Sequence, residues 1–151
     1  MAKPGHEWLC KSIVDNAPDA MIFADREGVI RLWNVGAEAM FGYAASEALG
    51  QSLDIIIPEN LRGRHWEGYK KTMATGETKY GKDLLAVPGI RKDGTRISLE
   101  FSIVIVKDET GQLLGPAAIL RDVTARWKKE KELKERLAAL EGGSSKKSAA
   151  S

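Results

Sequence analysis

Few residues of this 151-residue chain have side chains that bind metals or act as nucleophiles: it has one cysteine and two histidines. His6 and Cys10 stand four residues apart, which places both on one side of a helix. A metal ion needs further ligands, and none stands near them in the sequence. No serine near His65 lies in the kind of turn that presents a hydrolase nucleophile, so no Ser–His–Asp set is evident. This inventory excludes an internal disulfide framework and a cysteine-rich zinc site, and it favours sensing or binding over catalysis.

His65 is the most informative of these residues because of the segment around it. Pro58 ends an apolar run, and a helical pattern follows from Glu59 to Ala74. An imidazole on a helix can bind a metal ion, and it can equally form hydrogen bonds within the fold. The residues alone leave both roles open.

The first half of the chain must position this helix. Apolar spacing predicts a helix from His6 to Asn16 and a hairpin of strands Ala20–Ala24 and Val29–Trp33. Asn34 stands at an N-cap position, and Gly42 ends the helix that follows. A second brief helical turn is predicted from Ser46 to Gly50, and the apolar run Leu53–Ile57 precedes the helix of His65.

The second half has the period of strands. We predict strands at Leu84–Ile90, Ile97–Ile105 and Leu113–Leu120; the middle one begins with strict alternation of apolar and polar residues. A charged helix follows from Arg126 to Leu140. Two groups of strands with helices between them predict an α+β fold. We expect a five-stranded antiparallel sheet with short helices over one face and flanking helices at both ends.

Composition and hydrophobic patterning limit the possible domain organisation and the possible binding partners. The 23 basic and 21 acidic residues give a net charge of +2, which argues against nucleic acid as a partner. No apolar run is long enough for a membrane span, and the first residues do not form a signal peptide, so we expect a cytoplasmic protein without membrane contact. The divisions we predict are a flanking helix (1–18), a core domain (19–124), a C-terminal helix (125–141) and a disordered tail (142–151).

The C-terminal helix has an apolar seam. Leu133, Leu137 and Leu140 are spaced by four and then three residues, as in a coiled coil. The first helix also carries three apolar residues, Trp8, Leu9 and Ile13. We therefore expect a homodimer through the N-terminal and C-terminal helices.

Four segments together resemble a PAS domain, a sensory module of bacterial signalling proteins. They are Val14–Met21, Gly28–Asn34, Arg91–Thr95 and the closing Arg121–Thr124, and the resemblance covers about residues 8 to 140. It implies a groove between helices and sheet for a small ligand or cofactor, and signalling through the flanking helices. No kinase, cyclase or DNA-binding segment follows, so we expect the output to pass to a downstream signalling protein.

The stretch Ile57–Tyr69 resembles the helix that carries the proximal histidine in haem-binding PAS oxygen sensors. The resemblance implies haem b bound through the iron to His65. Two positions differ: Leu85 stands where those sensors place a distal arginine, and Tyr69 follows the histidine by four residues instead of three. The cofactor-binding residues implied are His65, Tyr69, Leu84, Leu85, Val87, Ile103, Ile105 and Ile119.

Two alternatives concern the groove. The photoactive flavin subclass needs a reactive cysteine at the start of the helix of His65, whereas residues 54–64 contain none and Cys10 lies far away. A covalent flavin photocycle is therefore not expected. Non-covalent flavin stays open, with Trp33 and Asn34 as candidate groove residues that core packing explains better. The second alternative is a cofactor-free interaction and dimerisation module, whose groove is a packed core or binds a small apolar or carboxylate ligand.

Overall fold

The computed structural model describes residue 3 and residues 5–77 and 85–150, the side chains of Leu85 and of residues 143–150 excepted. A five-stranded antiparallel sheet in the order β2-β1-β5-β4-β3 carries short helices on one face, which confirms the predicted α+β architecture. The elements are α1 (His6–Asn16), β1 (Ala20–Ala24), β2 (Ile30–Trp33), α2 (Val35–Phe41), α3 (Ala45–Ala48), 3-10 turns at Leu53–Ile56 and Glu59–Leu61, α4 (Arg62–Thr75), β3 (Leu85–Ile90), β4 (Arg96–Lys107), β5 (Leu113–Asp122) and α5 (Thr124–Ala150).

The two faces of the sheet follow from alternation along the strands. In β1, Ala20, Ile22 and Ala24 are buried, whereas Met21 and Phe23 are only partly buried. The buried set faces the helices and forms the core with Phe41 of α2 and Met73 of α4. We call this the inner face and the opposite side the outer face. Because cross-strand partners point to the same side, the register assigns every paired residue to one face.

Asn34 fixes the helices near the start of the chain to the sheet. Its Oδ1 accepts hydrogen bonds from the backbone N–H groups of Met21 (2.8 Å) and Ala37 (3.0 Å). Its Nδ2 donates to the carbonyls of Val14 (2.7 Å) and Asp19 (3.1 Å). A buried side-chain amide with all its groups satisfied is a rigid junction. The C-terminal end of α1 is thereby held beside α2.

The C-terminal helix extends beyond the sequence-based expectation. The prediction was a helix over 125–141 followed by a disordered tail over 142–151, whereas α5 continues to Ala150. Glycines interrupt the pattern at 142 and 143, but they only weaken a helix, and no proline follows them to stop it. The backbone therefore continues helically through the serines, lysines and alanines that follow.

Candidate functional site

The inward side of α4 carries His65, Tyr69 and Met73, each four residues after the last. This spacing puts the three side chains on one face, with Tyr69 and Met73 buried and His65 partly buried. The start of the helix is held by Arg62, which donates to the carbonyls of Ile57 and Asp54 at 3.2 Å each. The sequence expectation that His65 lies on a helix over the sheet is consistent with this arrangement.

His65 has an unusual polar atom. Its Nδ1 is buried and has no hydrogen-bond partner among the residues that the structure describes. Burial lowers the pKa of the imidazole, and the nearby Asp54 carboxylate opposes this shift only in part. The ring is therefore neutral near pH 7, which is the form that accepts a hydrogen bond or binds a metal.

Two aromatic neighbours of His65 attach α4 to the β1–β2 turn. The Tyr69 hydroxyl donates to the carbonyl oxygen of Asp25 in the β1–β2 turn. The Trp66 Nε1–H donates to Asp54 Oδ1 of the 3-10 turn Leu53–Ile56 at 2.7 Å. The indole of Trp66 lies against the turn glycine Gly28, where a Cβ would come within 2.1 Å of the ring. Burial raises the pKa of the Tyr69 hydroxyl, with smaller contributions from the carboxylates of the turn.

This attachment changes what Tyr69 can offer a ligand. Its hydroxyl is already bonded to the hairpin turn, so it presents a ring and not a free hydroxyl to its surroundings. The His65 ring centroid is 4.8 Å from that of Trp66 and 5.7 Å from that of Tyr69. Sequence reasoning missed Trp66 and its contact with Gly28, because the two are far apart in the chain.

The opposite wall of the candidate groove is the inner face of the central strands. Val87, Ile103 and Ile105 all lie on this face and are partly buried, so the structure brings them to one side of the sheet. Phe101 and Ala118 share this face and are also partly buried, although they were not among the predicted site residues. The alternation in β4 was the signal for Phe101, because it has the same parity as Ile103.

The remaining three residues predicted for this wall are Ile119, Leu84 and Leu85. Ile119 pairs with Met21 and Ser102, so it lies on the outer face, and its placement in the groove is corrected. The physical reason is the period of two, since Leu120 is buried on the inner face and its neighbour must point the other way. Leu84 lies outside the described residues. The backbone of Leu85 pairs with Phe101 on β4.

The other potential ligands are not assembled into a metal centre. Cys10 Sγ lies 3.5 Å from His6 Nε2 on α1, and both side chains are exposed. Within the described parts of the chain, no group of three or more His, Cys, Asp or Glu residues is arranged to hold a metal ion.

A protein-family model described as the PAS fold matches residues 9–123. With its five-stranded sheet and helices on one face, this chain belongs to the PAS family. Sensor protein FixL of Bradyrhizobium diazoefficiens is 37% identical over 93 residues, which cover 62% of this chain and 18% of FixL. The signal transduction histidine-protein kinase AtoS of Escherichia coli is 29% identical over 132 residues, covering 85% of this chain and 20% of AtoS.

These relatives are much longer than the chain, which spans about a fifth of the length of the curated proteins it matches. Solved structures agree on the fold. A PAS domain from Colwellia psychrerythraea aligns with a TM-score of 0.68 and 25% identity, over 78% of this chain and 96% of that one. The PAS domain of Bordetella pertussis BvgS aligns with a TM-score of 0.62 and 18% identity, over 87% of this chain and 96% of that one. The chain is a PAS sensory domain related to sensor regions of histidine kinases.

Among the helices in the described parts of the chain, none combines the length and the apolarity that crossing a bilayer demands.

Proposed function

We propose that this PAS domain takes up a small ligand or cofactor between α4 and the inner face of the sheet. We further propose that the resulting conformational change passes to a histidine kinase through the flanking helices. The observation that carries the proposal is His65, a neutral and partly buried imidazole on the inward side of α4 whose Nδ1 has no partner within residues 5–77 and 85–150. A buried polar atom without a partner is costly, and a ligand that engages it gains binding energy.

Haem b is the cofactor that we propose for this site. The neutral imidazole is the ligating form of histidine, and the apolar residues Val87, Phe101 and Ile103 offer a wall suited to a porphyrin. When bound, haem would supply an iron centre that binds a diatomic gas or changes oxidation state. The same apolar wall would exclude water from the iron. The polar device of the oxygen sensors is absent, since Leu85 stands at the position of their distal arginine.

The route of the signal runs along the sheet to α5. The pairing of β4 with β5 runs from the pair formed by Leu99 and Asp122 to the pair formed by Lys107 and Leu113. The wall of the groove and the end of β5 therefore belong to one ladder. Beyond that end, the Thr124 N–H donates to Asp122, and the Thr124 hydroxyl accepts from the Ser98 N–H at 2.9 Å. A ligand that favours one arrangement of the sheet thereby shifts the population of α5 orientations.

The test is the visible absorption spectrum of the purified protein before and after addition of haemin, followed by desalting. We expect a Soret band that survives desalting in the wild type and is lost in His65→Ala. The matched control is His6→Ala, which removes the other histidine, an exposed residue on α1, and is expected to keep the band. A protein that is colourless and retains no haemin, or a band that His65→Ala leaves unchanged, would contradict haem binding.

The second candidate function is a cofactor-free interaction and dimerisation module. The observation that favours it is the seam of α5, where Leu133, Leu137 and Leu140 are 53%, 57% and 72% exposed. Exposed leucines at coiled-coil spacing are stabilised by a second helix. This function predicts association of two chains with no visible absorbance, so the same spectra, combined with sedimentation, separate the two candidates.

A further inference from the structure

A cleft of about 380 Å³ is lined by α2 on one side and by the end of β5 on the other. We call it the α2 cleft. Its apolar surface comes from Pro18, which follows α1, and from Ala39 and Met40 of α2. The volume lies at the small end of the ~300–1,000 Å³ range of small-molecule sites, so the ligand that fits it is small. His65 and the inner face of the sheet do not line it, so it is separate from the candidate groove.

The walls of the α2 cleft are held in place by tight contacts. A Cβ at Gly36 would come within 2.2 Å of the carbonyl oxygen of Asp19, so α2 lies directly against the chain that joins α1 to β1. The same carbonyl accepts a hydrogen bond of 3.1 Å from the buried side chain of Asn34. The cleft is therefore already formed, and a ligand does not have to order its walls.

The rim of the α2 cleft contains two arginines, one of which has donors to spare. Arg121 is paired with Asp19, with Nε 3.0 Å from Oδ2. Within the described residues, the Arg91 guanidinium donates only to the carbonyl of Ala39, at the long distance of 3.4 Å. A guanidinium has five N–H donors and binds a carboxylate through two parallel hydrogen bonds. Arg91 is therefore suited to hold a carboxylate in the cleft.

Asp122 supplies the opposite charge on the same rim. Its Oδ1 accepts from the backbone N–H of Thr124 at 2.9 Å and from the Thr124 hydroxyl. A carboxylate has about four lone-pair positions on its two oxygens, so Oδ2 can still accept from a ligand. An ammonium group, with three donors and a positive charge, matches this acceptor.

We propose that the α2 cleft binds a small zwitterion, namely an amino acid with an apolar side chain. Its carboxylate binds Arg91, its ammonium binds Asp122, and its side chain lies on the apolar surface of α2. The cleft is lined by two basic and two acidic residues, and this balance favours a zwitterion over a simple anion or cation. Because Asp122 also bonds to the first residue of α5, the ligand contacts the point where that helix leaves the core. This site goes beyond the proposed function and does not depend on His65.

Isothermal titration calorimetry with L-leucine and L-methionine tests the class of ligand. We expect at least one of the two to bind. N-acetyl-leucine lacks the ammonium and leucine amide lacks the carboxylate, so each is expected to bind ~tenfold or more weakly than leucine. If neither amino acid binds, or if both derivatives bind as tightly as leucine, the proposal is wrong.

Two variants test the residues that hold the charges of the ligand. Arg91→Gln removes the carboxylate-binding group. Asp122→Asn removes the negative charge but keeps an oxygen that can accept from Thr124, so the start of α5 is expected to survive, as circular dichroism would verify. We expect each variant to raise the dissociation constant of the bound amino acid by ~tenfold or more. Binding equal to that of the wild type in both variants would overturn the proposal.

The matched controls remove the same charges elsewhere. Arg96→Gln acts on β4, where Arg96 donates to Asn60 Oδ1 at 2.6 Å. Asp108→Asn acts in the β4–β5 turn, where Asp108 Oδ1 accepts from the Thr110 N–H at 2.9 Å, as at the start of α5. Both are expected to bind the amino acid as the wild type does, and a loss equal to that of the cleft variants would refute the site. His65→Ala is also expected to keep this binding, which distinguishes failure here from failure of ligand binding at His65.

Discussion

At the scale of single residues, His65 combines a role in packing with an available polar atom. Burial holds its pKa below the usual 6.5, so the folded protein resists protonation at this ring. In the unfolded chain the same imidazole takes up a proton below pH 6.5. The unfolded state therefore binds more protons as the pH falls, and acid destabilises the fold through His65.

This linkage predicts a pH-dependent difference between the wild type and His65→Gln. The stability that the wild type owes to His65 is fully present above pH ~6.5 and declines as the pH falls towards the lowered pKa of the folded state. We expect the free energy of unfolding of the wild type, relative to His65→Gln, to be smaller at about pH 5 than at about pH 8. Urea unfolding at both pH values measures it. A difference that is the same at both, or that grows in acid, would show that His65 is not desolvated.

At the scale of elements, the attachment of α4 to the β1–β2 turn depends on a glycine. Gly28 has φ +81°, and its missing side chain leaves the space that the Trp66 ring occupies. The predicted hairpin already required a turn between Ala24 and Val29, because a hairpin turn is a local property of the chain. The contact with Trp66 could not be predicted in this way, since it joins residues far apart in sequence. The turn therefore serves both the hairpin and α4.

Gly28→Ala tests this double role, with Gly94→Ala as the matched control. Gly94 has φ +87° and open space around it, so alanine there costs only the backbone strain, about 1 to 2 kcal/mol. At Gly28 the new Cβ also displaces Trp66, which adds about 1 to 3 kcal/mol. We expect urea denaturation to show a greater loss of stability in Gly28→Ala than in Gly94→Ala. Equal losses would mean that the indole moves aside without cost.

The strands show where sequence prediction succeeds and where it fails. Alternation in β4 predicted correctly that Ile103 and Ile105 share a face, because the period of two is a property of the strand itself. Ile119 was predicted for the same wall on its apolar character alone, although Leu120 next to it already occupies the inner face. Which of two adjacent apolar residues points inward depends on register with β1 and β4, and register is a tertiary property.

At the scale of the whole molecule, α5 leaves the sheet as a helix without a packed face. Residues 125–142 are exposed throughout, and the helix extends to Ala150. Isolated helices of this kind are marginally stable in water, and most helices in proteins are stabilised by packing of an apolar face. The ion pair of Arg126 with Glu100 fixes the first turn to β4, so we expect the remainder to be stabilised by a partner helix.

The leucine seam of α5 predicts that its helicity and its self-association rise together with protein concentration. Replacing Leu133 and Leu137 by asparagine removes two apolar seam positions, so we expect weaker association by ~tenfold or more in sedimentation and a lower helical signal in circular dichroism. The matched control replaces Ala138 and Ala139, which lie off the seam, and asparagine there lowers intrinsic helix propensity to a similar or greater extent. If both double variants lose the same helicity and associate equally, the leucines act only through local propensity. A larger effect at the leucines would mean that α5, to which the proposed signal passes, is completed by a second chain.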